Sequence, residues 1–463
     1  GRAAAATALV SLISEPWSSA EAKQPKKPLP VAVEARFKDR ITAKLEKSLS
    51  EAVTHLAFAL GVADGQKIFP EDVFAPGYEF DLGDGAGKWR SRCEHDIDTS
   101  RDSSSLCAVH KLQALTAFCE IDSVVERHRS GVTGLLRRLL GKREAVVAGL
   151  GIKRSLLPVG NSMEAWMAET PQGSGVFDVA ITAHVAAMLA LVQCGSALGD
   201  RDMLGEANSW FAALEKAYPR NTWKHQSFHL NGILWESLVV ISQKIRSDSS
   251  FADDIRDFTS DLESYMQAVF SEDEQVWSFS AARAAVLSWS KATKTTRRKR
   301  LASVVDEYMR RWIELMPKFS FNVSYSCGPL QGVAPLLLKR GDQAAELVGS
   351  TLKLMEKDVD LFQVLGATGG ESASLSLAAE RVGQQILRTH GLVLEGAFYR
   401  DEAQLKSEKR ATLRVDDTAQ CVLALSRVLA LLDDLVGVDV GDGARGGEAS
   451  SGEVDGALVG GEL

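Results

Sequence analysis

The sequence has little cysteine: six in 463 residues, with no C-x-x-C pair among them. That argues against a small disulfide scaffold, a zinc ribbon and a thiol redox motif. It also lacks a strong charge bias, since Lys+Arg 53 against Asp+Glu 61 leaves a net charge of -8. A chain-wide attraction to nucleic acid or anionic membrane is not expected, local basic patches aside. No stretch of about 18 apolar residues free of charge stands out, so the reading is a soluble chain with no membrane span. G-x-S-x-G, H-E-x-x-H and paired-glycine dinucleotide fingerprints are absent. Gly83 to Lys88 resembles a phosphate loop, but Leu82 and Trp89 stand where that loop needs Gly and Ser or Thr, which leaves a glycine turn. No cofactor is expected.

The cysteines that are present read mostly as core residues. Cys119, Cys194 and Cys421 sit in apolar helical patterns, where a thiol behaves as a small hydrophobe. Cys327, before Gly328 and Pro329, reads as the turn that opens a helix. Cys93 and Cys107 flank a polar loop and would pair in an oxidising compartment.

Both ends read as lying outside the fold. Residues 1–30 combine an Ala-rich run from Arg2 to Ser14, small residues at Ala20 and Ala22 and a Pro-rich Lys23 to Pro30 linker, as a presequence and linker would. If so, the protein is exported or organellar; otherwise it is cytoplasmic. Residues 436–463 are rich in Gly, Asp and Glu and predict a disordered tail. Between them, helical periodicity runs almost throughout. Residues 31–150 form an N-terminal helical region, with a long helix over Val31 to Val62, an irregular segment over 63–104, and helices at about 106–128 and 134–148.

Residues 151–435 hold a repeat. A turn is followed by an apolar helix and then by a charged amphipathic one, with apolar helices opening near Phe177, Ser227, Phe279, Ser326, Ser372 and Asp416, at intervals of 44 to 52 residues. That period is one helical hairpin per repeat. One helix of each pair is apolar all round and must be buried on every side; its partner, as over Leu204 to Tyr218 or Ser303 to Leu315, keeps a face for water. An all-α fold follows.

With Tyr325 to Leu336, Gly396 to Arg400 and Arg414 to Gln420 as the openings of inner segments, Gly173 to Asp434 resembles an α/α toroid. This six-hairpin barrel is shared by many carbohydrate-active enzymes and, in variants, by terpenoid cyclases and prenyltransferases. The resemblance is architectural and implies a ring with N-terminal helices packed against it; it departs from the pattern at Leu392 to Thr412, loop-like where an outer helix is expected, so that an N-terminal helix would close the last inner helix instead. An open α-solenoid has a similar period, but its repeats would resemble one another residue by residue, and these do not.

Two constellations carry candidate chemistry. His225, His229 and Glu236 fall within about 40° on one helical stripe. Glu236 lies about 10 Å beyond the histidines, too far to complete a zinc site, so no metal is expected. In a toroid the stripe faces the lumen, with Trp223 at its mouth as a stacking platform and His225 and Glu236 as catalytic groups. The second is Asp416 and Asp417. Asp417 with Gln420 reads as a capping box, leaving Asp416 as the catalytic carboxylate at a helix N-terminus. Arg400, Arg414, Tyr325 and Tyr399 would join His229 and Trp223 in binding substrate. The functional expectation is acid/base chemistry on a carbohydrate or a similar polyhydroxyl or anionic small molecule. The alternative is a helical scaffold with a protein partner. The basic run Lys291 to Arg300 reads as a solvated loop.

Overall fold

A computed structural model describes residues 29–63, 77–81, 88–91, 103–140, 144–146, 153–155, 175–245, 250–272, 278–292, 294–315, 327–340, 345–362, 396–398 and 410–438. Helices dominate them. Strand β1 (Leu29–Glu34) leads into α1 (Ala35–Ala59), so the helix expected from Val31 starts after a strand. Within the segment read as irregular, β2 (Gly77–Asp81) pairs antiparallel with β3 (Lys88–Ser91). Then come α2 (Ser103–Cys119), α3 (Asp122–Arg127) and α4 (Arg129–Leu140). The helix expected over 134–148 stops at Leu140 and is followed by β4 (Glu144–Val146), antiparallel to β5 (Lys153–Ser155).

The repeat follows as α5 (Gly175–Leu198), α6 (Arg201–Ala217), α7 (Phe228–Lys244), α8 (Ser250–Glu272), α9 (Phe279–Lys291), α10 (Thr295–Leu315), α11 (Cys327–Arg340) and α12 (Ala345–Phe362). Strand β6 (Arg410–Arg414), antiparallel to β2, runs into α13 (Val415–Asp434) and β7 (Leu435–Val438). Five of the six anticipated apolar helices open within two residues of the expected position; the one expected near Ser372 lies outside the described residues, as do residues 1–28 and 439–463, whereas Leu29 and Pro30, read as the end of a linker, belong to β1. Residues 436–438, read as tail, belong to β7, which pairs parallel with β1.

Local chemistry sets the boundaries. Gly199, at φ +64°, ends α5, and Asp200 Oδ1 accepts from the backbone of Asp202 (3.0 Å) and Met203 (3.2 Å) to start α6. Ser227 Oγ accepts from Leu230 N at 3.1 Å and starts α7.

The five described helices expected to be apolar pack in succession, and α2, read as part of the N-terminal region, stands between the first and the last of them. α2 touches α5, α5 touches α7, α7 touches α9, α9 touches α11, α11 touches α13, and α13 touches α2, a cycle of contacts. The amphipathic helices pack on members of this cycle: α6 on α5, α8 on α7, α10 on α9, and α1 on α13 and α12. Helix α5 is long and apolar enough over Ile181–Leu198 to cross a membrane, contrary to the reading from sequence, yet 78% of that window is buried inside the protein. It is packed as a core helix against α2, α6 and α7. Among the polar groups it buries, His184 Nε2 donates to the Trp210 carbonyl on α6 at 2.8 Å. Burial pushes this imidazole down to about 4, the backbone hydrogen bond offsetting only part of that effect.

Two disulfides staple neighbours in the cycle. Cys119 at the end of α2 pairs with Cys194 of α5, and Cys327 at the start of α11 pairs with Cys421 of α13, with Cα–Cα separations of 5.0 and 4.9 Å. The expectation of buried free thiols at Cys119, Cys194 and Cys421 is thus overturned, as is the reading of Cys327 as a turn residue alone. Of the expected Cys93–Cys107 pair, Cys107 falls within α2, in what reads from sequence as the edge of a loop, and Cys93 lies outside the described residues.

One glycine is dictated by packing. Gly396, at φ +89°, presses on the backbone of α1, where an added Cβ would meet the Glu51 carbonyl oxygen at 2.2 Å. Beside it Ala397 and Phe398 are fully buried, and Phe398 N donates to Thr418 Oγ1 of α13 at 3.1 Å.

Candidate functional site

Helices of the cycle are buried on most sides and leave one narrow stripe in partial contact with solvent. On α13 it runs through Gln420, Leu423, Arg427 and Ala430; on α7 through His229, Ile233, Glu236 and Val240; on α9 through Phe279, Arg283 and Ser290; on α2 through His110, Gln113 and Thr116 to Glu120 just past its end. Steps of three and four residues keep each stripe on one line of its helix. The stripes of α2, α7, α9 and α13 carry charge, and α11 adds the buried Gln331.

These polar groups connect helix to helix. Arg283 donates to Glu236 through Nε (2.5 Å) and Nη2 (2.8 Å), and through Nη1 to the Gly328 carbonyl of α11 at 3.3 Å. Burial opposes the Arg283 charge, and Glu236 more than offsets it. Gly332 leaves room for this arrangement, since a Cβ there would meet Arg283 Cγ at 2.8 Å and the Tyr308 hydroxyl at 3.0 Å. That hydroxyl donates to the Pro329 carbonyl at 2.8 Å. Gln331 Nε2 donates to the Gln420 carbonyl (3.3 Å), Arg427 Nη1 to the Gln331 carbonyl (2.8 Å), and Arg427 Nη2 pairs with Glu120 at 3.5 Å. A polar belt therefore runs from α7 through α9, α11 and α13 to the end of α2.

At the opening of α13 stands the most concentrated group. Arg414 grips Asp416 with two parallel bonds, Nε to Oδ1 at 2.9 Å and Nη2 to Oδ2 at 2.7 Å, and both side chains are buried. Asp416 Oδ2 also lies 3.1 Å from His110 Nδ1 on α2, within ion-pair range but off the line of a hydrogen bond. Burial alone would push the Asp416 carboxyl up; the His110 charge first and Arg414 next outweigh it and hold the group well below the ordinary carboxylate range. The His110 side chain keeps 22% exposure, whereas Asp416 keeps 5%. The result is a partly exposed imidazole backed by a buried carboxylate that its neighbours favour in the ionised form and that a guanidinium holds in place. Such a carboxylate orients an imidazole for proton transfer.

Several expectations for the site are corrected. His225 ends a 3-10 turn (Arg220–His225) and is exposed; Ser227 starts α7 afresh, so His225 does not share the stripe of His229 and Glu236. His229 is exposed on α7, its Nδ1 3.4 Å from Ser278 Oγ. Trp223 is no platform at a mouth. It is 3% exposed, edge-on to Phe258 with ring centroids 5.2 Å apart. Glu236 is committed to Arg283 and is not a free acid or base. Asp417 does not cap α13: Arg414 occupies the cap position, and Asp417 sits in the first turn, 3.8 Å from Arg414 Nε. Asp416 and Arg414 do come together, though as a mutual ion pair. Tyr325, Tyr399 and Arg400 lie outside the described residues. The basic run is not a loop, because Arg297 to Arg300 form the first turns of α10.

Sequence reasoning missed His110. Its signal was the spacing of His110, Gln113 and Glu120 along one side of α2. Among the described residues no group of three His, Cys, Asp or Glu could hold a metal ion. A cavity of about 10 Å³ lies among α7, α8, α9 and α10, lined by Phe228, Trp235, Met266, Phe270, Ala281 and Val304, with room for about one water. No protein-family model, no curated protein and no solved structure matches this chain.

Proposed function

We propose that the cycle of helices is an α/α toroid whose polar stripes face a common lumen, and that its mouth binds a carbohydrate or a similar polyhydroxyl or anionic ligand for acid/base chemistry. The single observation that carries this reading is the coincidence of polarity with exposure, since the narrow unburied line of α2, α7, α9 and α13 is where His110, Glu236, Arg283 and Arg427 stand. In this reading His110 gives or takes the proton, Asp416 orients it, and Arg414 keeps Asp416 ionised. Gln113 and Gln420, neutral and on the same stripes, supply donors and acceptors suited to hydroxyl groups.

The test is a binding and turnover screen with neutral and acidic oligosaccharides on the full chain. His110→Ala should abolish turnover and, because His110 also offsets the buried Asp416 charge, should lower the unfolding free energy by about 1–3 kcal/mol while leaving a folded protein. Unchanged turnover in that variant refutes the assignment. A second reading, a helical scaffold for a protein partner, draws support from the way the belt's charges satisfy one another. Failure of every oligosaccharide to bind would favour it.

A further inference from the structure

In a chain of net charge -8, Lys291 to Arg300 concentrates six basic residues in ten positions. The structure sets Arg297 to Arg300 at the start of α10, a helix with no acidic residue in its first turn. A helix N-terminus favours negative charge, so this placement is unfavourable for the isolated chain, and the crowding of like charges adds to it. Arg297 is satisfied internally, donating to Glu263 through Nε (2.8 Å) and Nη2 (2.6 Å). Lys294, Arg298, Lys299 and Arg300 are exposed. Arg298 is also held in place, its guanidinium 4.8 Å from the centre of the Trp289 ring.

This patch lies at the far end of the ring from His229 and Ser278. Helices α7 and α9 run side by side from their first turns, where Gly232 abuts Ser278 and Ala281, and α10 opens just past the end of α9. Lys244 ends α7 on that same side. The disulfides Cys119–Cys194 and Cys327–Cys421 belong to an oxidising compartment. The abundant polyanions met there are glycans rather than nucleic acids.

We propose that Lys294, Arg298, Lys299 and Arg300 form a docking surface for a sulfated or carboxylated polysaccharide, separate from the mouth of the ring. Planar guanidinium forks and mobile ammonium heads both suit sulfate and carboxylate oxygens. The acidic groups of the polysaccharide would relieve the repulsion at the start of α10.

The experiment uses the full, disulfide-bonded chain and three probes: heparin, a single-stranded oligonucleotide of similar charge density, and uncharged dextran. With four contacts, heparin affinity should fall roughly 50- to 150-fold between 50 and 200 mM salt. K294A/K299A/R300A should lose most of that dependence, its log–log slope dropping by roughly 2 to 3. Arg310→Ala, at the other end of α10, should bind as the parent does, and so should His110→Ala. The His110 variant separates this surface from the mouth: loss of turnover there with heparin binding intact leaves the present proposal standing. Heparin binding no better than dextran, binding indifferent to the triple variant, or tighter binding of the oligonucleotide would each overturn the proposal.

Discussion

Buried His184 should make the protein sensitive to mild acid. Its folded pKa is depressed from 6.5 to about 4 by burial. In the unfolded chain the imidazole titrates near 6.5, so between these values the unfolded state binds more protons than the folded one, and stability must fall as pH falls. The full loss below pH 4 is about 3 kcal/mol, and about 2 kcal/mol of it falls between pH 7 and pH 5. The control is His184→Gln, whose amide can still donate to the Trp210 carbonyl but carries no titratable proton. Urea unfolding of both proteins at pH 5 and pH 7, disulfides intact, gives four free energies. The parent should lose about 2 kcal/mol more than the variant over that interval. Equal losses would mean that His184 is not held neutral, and the reasoning from burial would fail.

Asp416→Asn should cost about 3–5 kcal/mol in thermal or chemical unfolding, because it leaves Arg414 buried beside a neutral amide; a cost near zero would deny the ion pair. Removing the Cys327–Cys421 bond by paired alanine substitution should cost about 4.7 kcal/mol, and removing Cys119–Cys194 about 4.5 kcal/mol, given loops of 94 and 75 residues. Peptide mapping without reductant should find both pairs, and free thiols at these positions would refute them. Gly396→Ala should lower stability by roughly 2–4 kcal/mol, since the new methyl has the α1 backbone in its way and the φ is wrong for alanine; a neutral effect would show that the segment can move aside.

Helices were legible from sequence because their burial is periodic. Ile41, Leu45, Leu49, Val53 and Leu56 mark the inner side of α1 in the sequence and are buried there in the structure. What periodicity could not supply was partnership across long separations. Nothing near Cys119 points to Cys194, since only the packing of α2 on α5 brings them together, and a buried thiol and a buried half-cystine occupy the same apolar helical position. His225 was misplaced for a local reason. A 100° wheel drawn through Ser227 places His225 on the α7 stripe, but the Ser227 hydroxyl starts a new helix and resets the angle. Trp223 shows the opposite failure, for a tryptophan near histidines suggests a binding platform, yet the nearby aromatics of α8 draw it into the core. Asp416 was found as a residue but not as a pair, because its two partners come from a strand end and from α2, some 300 residues earlier.

The parallel pairing of β1 with β7 bears on how the fold would respond to a pull. Leu29 lies opposite Leu435 and Glu34 opposite Val438, and Lys38 Nζ adds a bond to the Leu435 carbonyl at 2.6 Å. Tension applied through the chain before β1 and after β7 would drag the strands past one another lengthwise. Their hydrogen bonds would then be loaded together, in shear, instead of opening one after another as in a peeled hairpin. The small two-stranded ladder thus acts as a mechanical clasp, and a set of packed helices that would otherwise unravel from either end is given one grip that holds both.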